Sequence, residues 1–206
     1  MKTLLSLIFI STAVVAVSQP NKKAPKMAPV LASGYYVNSQ KGDTVRGEVM
    51  TNPENPVDIY KGFSFKPAKG GKVMPVTTKK AKAYGYEGHD FVLIVDNGEE
   101  MYVEVMARGR INFYEHKFDG KIDGYPAVES EYFVQDNMAE GADAGLKELK
   151  KISNKFYKRD LKPYMRDQPM IWSDFDKFVF DKNKVTAAIK EFNKIYVITP
   201  DPDKDK

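Results

Sequence analysis

Alternation of apolar and polar residues dominates the first two thirds of the chain and predicts β-strands joined by glycine turns. The clearest hairpin joins residues 91–95 to residues 101–103 through Asn97-Gly98, because this dipeptide tolerates the positive φ angles of a type I′ turn. Similar patterns predict hairpins at residues 41–43 and 87–89.

After residue 145 the apolar period becomes helical. Six apolar residues recur at the spacing i, i+3, i+4, i+7, i+10 and i+11, which places them on one face of an amphipathic helix. They are Val185, Ala188, Ile189, Phe192, Ile195 and Tyr196. Ser173 and Asp176 resemble a capping box that opens a shorter helix. A third helix is predicted from Leu149, Ile152 and Phe156, and it ends before Pro163. Strands followed by two to three C-terminal helices predict an α+β fold, with an antiparallel β-meander as an open sheet or a partly closed barrel.

The N-terminal segment has the features of a cleavable bacterial signal peptide. Lys2 precedes an apolar core, and Ala16 and Ser18 are the small residues expected before cleavage at Gln19. A membrane anchor is the alternative, but the apolar run is shorter than the ~20 residues that cross a bilayer. We therefore expect no transmembrane segment after cleavage. The chain has no cysteine, so it is not expected to be a lipoprotein.

Four segments follow from this pattern. Residues 1–18 are the predicted signal peptide, and residues 19–32 are a Pro- and Lys-containing tether. Residues 33–198 form the single predicted α+β domain, and residues 199–206 form a disordered tail. The predicted location is the periplasm or the cell exterior.

Composition indicates a globular protein without a dedicated polyanion partner. Hydrophobic residues make up 42% of the chain, and the formal net charge is +4. Removal of residues 1–18 takes away only Lys2 and leaves +3. This small excess, together with export, argues against nucleic acid as a partner.

One stretch between residues 147 and 162 is nevertheless strongly basic, and it is predicted to be helical. Its candidate binding residues are Lys150, Lys151, Lys155 and Lys158. They could contact anionic glycan or lipid and so allow peripheral membrane contact. The simpler interpretation is a solvated helix face, because lysine is common on exposed helix surfaces.

Signatures of catalysis and of cofactor binding are missing from the sequence. There is no Gly-x-Ser-x-Gly elbow, phosphate loop or dinucleotide fingerprint, so no cofactor and no metal are expected. His89, between Glu87 and Asp90, is interpreted as part of a solvated turn rather than a metal ligand. A hydrolase that uses carboxylates distant in sequence but close in space stays open.

The residue that lies opposite His116 depends on the register of the hairpin around residues 107–109. A three-residue loop at residues 107–109 would place Val105 opposite Ile111 and Glu100 opposite His116, which gives the histidine a surface partner. A two-residue loop would instead pair Val103 with Tyr114 and mix the two faces.

Three stretches carry a resemblance: residues 42–49 (GDTVRGEV), residues 105–114 (VMARGRINFY) and the helical end from Phe156 to Tyr196. In these the chain resembles uncharacterised exported proteins of Bacteroidota-type bacteria. The resemblance implies envelope localisation and no functional residues. We therefore expect an exported, non-catalytic binding or structural module whose partner is an unknown envelope protein or glycan. The alternatives are a binder of anionic glycan or lipid and a carboxylate-dependent hydrolase.

Overall fold

The computed structural model describes residues 28–175 and 177–196, without the side chains of residues 141–143. Ten antiparallel strands form one sheet: β1 (Val30–Asn38), β2 (Thr44–Thr51), β3 (Gly62–Pro67), β4 (Met74–Thr77), β5 (Ala81–Tyr86), β6 (His89–Asp96), β7 (Glu99–Ala107), β8 (Ile111–Ile122), β9 (Tyr125–Asp136) and β10 (Lys150–Ile152). Their order is β10-β9-β8-β7-β6-β5-β1-β2-β3-β4. Among the described residues β10 and β4 are edges, so the open-sheet alternative is the one observed.

Three helices follow the sheet: α1 (Tyr157–Met165), α2 (Pro169–Phe175) and α3 (Lys182–Ile195). Short 3₁₀ segments occupy Asp58–Tyr60 and Gly141–Lys147. The α+β prediction is confirmed at this level, although the sheet dominates. Within the described ranges, no helix combines the length and the apolar character that a bilayer crossing requires.

Glycine turns connect the central strands as the pattern predicts. Asn97 and Gly98 have φ angles of 50° and 85° and join β6 to β7, so this hairpin is confirmed. The hairpins at residues 41–43 and 87–89 are also present. In the latter, His89 is the first residue of β6, paired with Tyr86. β1 begins at Val30, inside the segment interpreted as a tether.

Two main apolar clusters hold these elements together. One packs the three helices against β8 and β9, with Phe113, Leu161 and Phe192 fully buried. The other joins β1 to β7 around stacked rings, in which Tyr84 lies 4.1 Å from Phe63 and 4.6 Å from Phe91, centroid to centroid. Aromatic rings therefore account for much of the core, since each buries a large apolar area.

The third helix predicted from Leu149, Ile152 and Phe156, ending before Pro163, is present, but both of its predicted bounds are wrong. Residues 150–152 form β10, which pairs with β9 from Tyr132 to Val134, and α1 begins only at Tyr157 and contains Pro163. The free edge of β9 supplies backbone partners, and Ile152 is buried in the helix-side core. This pairing overrides the local helical period, because a buried ladder outweighs weak propensity.

The predicted capping box is also wrong, whereas the C-terminal helix is confirmed. Ser173 lies inside α2 and donates its hydroxyl hydrogen to the Met170 carbonyl; Asp176 lies outside the described residues. α3 begins after Asp181, whose side chain accepts hydrogen bonds from the backbone of Asn183 and Lys184. Such a cap satisfies N–H groups that a helix start otherwise leaves unpaired.

The register predicted for the β7–β8 hairpin, with a three-residue loop, is wrong, and the two-residue alternative is not observed either. Val105 pairs with Tyr114 and Ala107 with Phe113, with a bulge between Val105 and Ala107. Side chains from other elements bind the backbone around this loop, and Asn137 donates a hydrogen bond to the Gly109 carbonyl. Asn193 in α3 bonds both the N–H and the C=O of Ile111.

Candidate functional site

The basic stretch is divided among three elements. Lys150 and Lys151 lie on β10, Lys155 lies in the turn that follows, and Lys158 is the second residue of α1. They do not form one helix face, so the basic helix predicted from the sequence is wrong. The chain turns back after β10, and this turn brings Lys150, Lys151 and Lys155 together.

An open groove of about 910 Å³ lies between β9, β10 and the start of α1. Lys150, Lys151 and Lys155 line it, whereas Lys158 is not part of its wall. Arg159 adds a fourth cation, and Glu131 and Asp160 supply two carboxylates. Apolar surface comes from the half-buried Phe118, and polar groups come from Ser130, Ser153 and Asn154. The groove is therefore net positive and amphipathic.

The two carboxylates are held by local partners. Glu131 forms an ion pair with Lys151. Asp160 accepts hydrogen bonds from the Ser153 backbone at 3.0 Å and from Arg159 at 2.8 Å. Burial opposes ionisation of Asp160, but these donors and the charge of Arg159 outweigh it, so the pKa of Asp160 lies below its ordinary value. The carboxylate stays ionised and fixes the start of α1 against the turn.

An exposed aromatic ring lies next to this groove. Phe156 is 45% exposed, and the cations of Lys155 and Arg159 lie 5.2 Å and 4.7 Å from its centroid. Cations at this distance are attracted by the ring quadrupole. The contact orients two of the four groove cations.

A second set of polar residues lies where β7 faces the 3₁₀ segment Asp58–Tyr60. Glu104 Oε1 is 2.6 Å from His89 Nδ1, and Glu104 Oε2 accepts a hydrogen bond from the Tyr60 hydroxyl at 3.3 Å. Burial and then the charges of Glu104 and Glu115 raise the pKa of Tyr60. The hydroxyl therefore stays protonated and remains a donor.

Glu115 lies opposite Glu104 across the β7–β8 ladder and is almost fully buried. Its oxygens accept hydrogen bonds from Lys182 at 2.9 Å, Ser130 at 2.8 Å and Tyr132 at 3.3 Å. Burial alone would raise its pKa, but the hydrogen bonds from Lys182 and Ser130 and the charge of Lys117 hold the pKa below the ordinary value.

These two carboxylates have separate sets of hydrogen-bond partners. The partners of Glu104 come from β6 and the 3₁₀ segment, whereas those of Glu115 come from β9 and α3. A general acid needs a raised pKa, and that of Glu115 is lowered. The juxtaposition could not be predicted from sequence, because it depends on a register set by a distant helix.

His116 does not have the surface partner expected from the sequence. It is 9% exposed, and its Nδ1 lies 2.9 Å from the Tyr102 carbonyl oxygen. The ring packs edge-on against Tyr60 at 5.3 Å. The pairing with Glu100 is therefore wrong, and His116 serves as a buried contact between strands.

Sequence reasoning identified the lysines of the groove but missed the residues on its opposite wall. Arg159 is visible in the basic stretch, whereas Ser130 and Glu131 lie some twenty residues earlier and reach the groove only through the β9–β10 pairing. Among the described residues, no cluster of three or more His, Cys, Asp or Glu side chains could hold a metal ion. No protein-family model matches the chain, and neither curated proteins nor solved structures show a match.

Proposed function

We propose that this chain is an exported, non-catalytic binding module, located in the periplasm or outside the cell, that recognises an envelope protein. The observation that carries the proposal is the net-positive groove between β9, β10 and α1, in which four cations lie around polar side chains and the half-buried Phe118. A groove of this size with a few placed polar groups is typical of a binding site. Residues 1–18, which carry the export prediction, lie outside the described residues.

A second candidate is recognition of anionic glycan or lipid by the same groove. Lys150, Lys155 and Arg159 supply the charge, and Phe156 beside them offers a ring face for a sugar or an acyl chain. Exposed cations attract anionic surfaces in proportion to their number and are screened by salt. The carboxylate-dependent hydrolase has no comparable support, because Glu104 and Glu115 are each engaged by other side chains.

The test replaces Lys150, Lys151, Lys155 and Lys158 by Gln in the mature chain. A control replaces Lys69, Lys72, Lys79 and Lys82, which are exposed lysines outside the groove, from the end of β3 to the first residues of β5, and so removes equal charge. Each protein is immobilised and used to capture proteins from a detergent extract of the native envelope, and each is sedimented with phosphatidylglycerol vesicles at low and high salt.

Both variants should keep the stability of the parent protein within about 1 kcal/mol, since exposed charges contribute little. The groove variant should lose a captured envelope protein that the control retains. Loss of vesicle binding alone would favour the second candidate. Equal behaviour of the two variants in both assays would contradict both.

A further inference from the structure

A free strand edge runs beside the basic groove. β9 pairs with β8 along its full length, from Tyr125 to Asp136. On its other side, the three-residue strand β10 covers only Tyr132 to Val134. Among the described residues, nothing pairs with that side of β9 from residue 125 to residue 131.

The direction of the free backbone groups follows from the pairing at one end. Ile111 directs its N–H and C=O to Asn193 and therefore away from β9, whereas the Arg110 carbonyl accepts a hydrogen bond from Asn137. Because consecutive residues of a strand point to alternate sides, the even-numbered residues of β8 bond to β9. Their partners on β9 are odd-numbered, as in Phe118 opposite Glu129.

The even-numbered residues of β9 consequently point outward. β10 pairs with this side of the strand at Tyr132 and Val134. Below them, Ser130 and Val128 present an N–H and a C=O each to solvent, and Pro126 ends the donor series because proline has no N–H. The backbone groups of this edge can therefore pair with a short additional strand that would lie in line with β10.

The surroundings of this edge indicate the composition of such a strand. Ser130 and Glu131 form part of the groove wall, so a chain paired with Ser130 would lie among Lys150, Lys155 and Arg159. The lining carries four cations against two carboxylates that already have cationic partners. Val128 and Tyr125 are 47% and 76% exposed and offer apolar contact on the two faces.

We propose that an extended acidic segment of a partner protein adds to the sheet as an eleventh strand at Val128 and Ser130, with its carboxylates among the groove cations. Main-chain hydrogen bonds provide affinity in this mode of recognition, and alternate side chains provide specificity. The inference rests on the proposed binding function and names the class of partner.

The probe is an eight-residue peptide that alternates Glu with Thr and carries a fluorescent label, titrated by anisotropy. Its matched control has the same sequence with N-methyl groups on alternate amides, which keeps the charge and blocks pairing. The unmodified peptide should bind at least about tenfold more tightly than the methylated one, since the loss of one or two hydrogen bonds corresponds to a factor of this size.

On the protein side, Val128→Pro removes an outward N–H and leaves the bonds to β8 intact, while Val128→Ala removes the side chain and retains the N–H. Val128→Pro should weaken binding by about tenfold, whereas Val128→Ala should stay within about threefold. Amide exchange at Val128 and Ser130 in the parent protein should slow when the peptide is added, and this readout does not depend on any variant.

Equal affinity for both peptides, or unchanged exchange at Val128 and Ser130, would overturn the added strand. If binding still required the groove lysines in that case, the groove would be a general anion site and the proposed function would stand. If the peptide failed to bind while vesicles or a sulfated glycan bound through those lysines, the partner would be glycan or lipid instead. If no probe and no envelope protein bound, both proposals would fail.

Discussion

The side-chain amide of Asn193 in α3 forms two hydrogen bonds of 2.8 Å with the backbone of Ile111, one to its N–H and one to its C=O. The amide thereby takes the place of a neighbouring strand at the start of β8. It also ties the C-terminal helix to the sheet. Because it holds the N–H and C=O of Ile111 away from β9, it also identifies the even-numbered residues of β9 as those whose backbone groups face outward.

Loss of this amide should destabilise the fold. Asn193→Ala leaves an N–H and a C=O of Ile111 without their partners, and we expect the free energy of unfolding to fall by about 2 kcal/mol. Urea unfolding followed by tryptophan fluorescence measures the change. The control is Asn183→Ala at an exposed position of the same helix, which should change stability by no more than about 0.5 kcal/mol. Equal effects of the two substitutions would contradict the role of Asn193.

Gly109 is required because Asn193 leaves no room for a side chain. A Cβ on Gly109 would lie 2.6 Å from Asn193 Cγ, so Gly109→Ala should lower the free energy of unfolding by about 1–3 kcal/mol. Shortening Asn193 to Ala removes the clash with its Cγ and Nδ2 but leaves its Cβ 2.8 Å away, so the collision is relieved only in part. The cost of Gly109→Ala should therefore be smaller in the Asn193→Ala background, as a double-mutant cycle would show. Strict additivity would mean that the collision is relieved elsewhere.

Acid should weaken the protein through Glu115. Its pKa is lowered in the folded state from an ordinary value of 4.5, so its contribution to stability is present above about pH 4.5 and is lost as the pH falls through the folded-state pKa. We expect the urea concentration at the unfolding midpoint of the parent protein to decrease once the pH is lowered below about 4.5. Glu115→Gln should be less stable at pH 7 by about 2 kcal/mol.

The pH dependence separates this effect from a general loss of packing. Glu115→Gln should show a shallower decline between pH 5 and pH 3 than the parent, because the group that titrates is gone. Asp160 and Asp167, whose pKa values are also lowered, account for the dependence of stability on pH that remains in this variant. Parallel curves for the two proteins would refute the assignment to Glu115.

The predicted signal peptide implies that the exported protein begins at one defined residue. Ala16 and Ser18 meet the small-residue requirement of signal peptidase, so the chain secreted by a bacterial host should begin at Gln19. Intact-mass measurement of the exported protein distinguishes residues 19–206 from the full chain. Replacement of Ala16 by Leu should block processing, whereas Ala13→Leu inside the apolar core should not. Retention of residues 1–18 in exported material would contradict the prediction.

Elements whose signals are local could be predicted from the amino-acid sequence alone. Asn97-Gly98 specifies its turn because both residues accept positive φ angles. The spacing of Val185, Ile189 and Phe192 specifies α3, since the apolar period of one helix is complete within that segment. These features require no information about where the rest of the chain lies.

The pairings between distant segments depend on the complete fold. Residues 150–152 have a helical pattern but become a strand, because the edge of β9 offers hydrogen bonds and a buried place for Ile152. The β7–β8 register, and with it the meeting of Glu104 and Glu115, depends on Asn193 some eighty residues later. The basic groove likewise arises only when β10 joins the sheet. Such contacts depend on packing and backbone satisfaction across the whole fold, and no local window of sequence contains both partners.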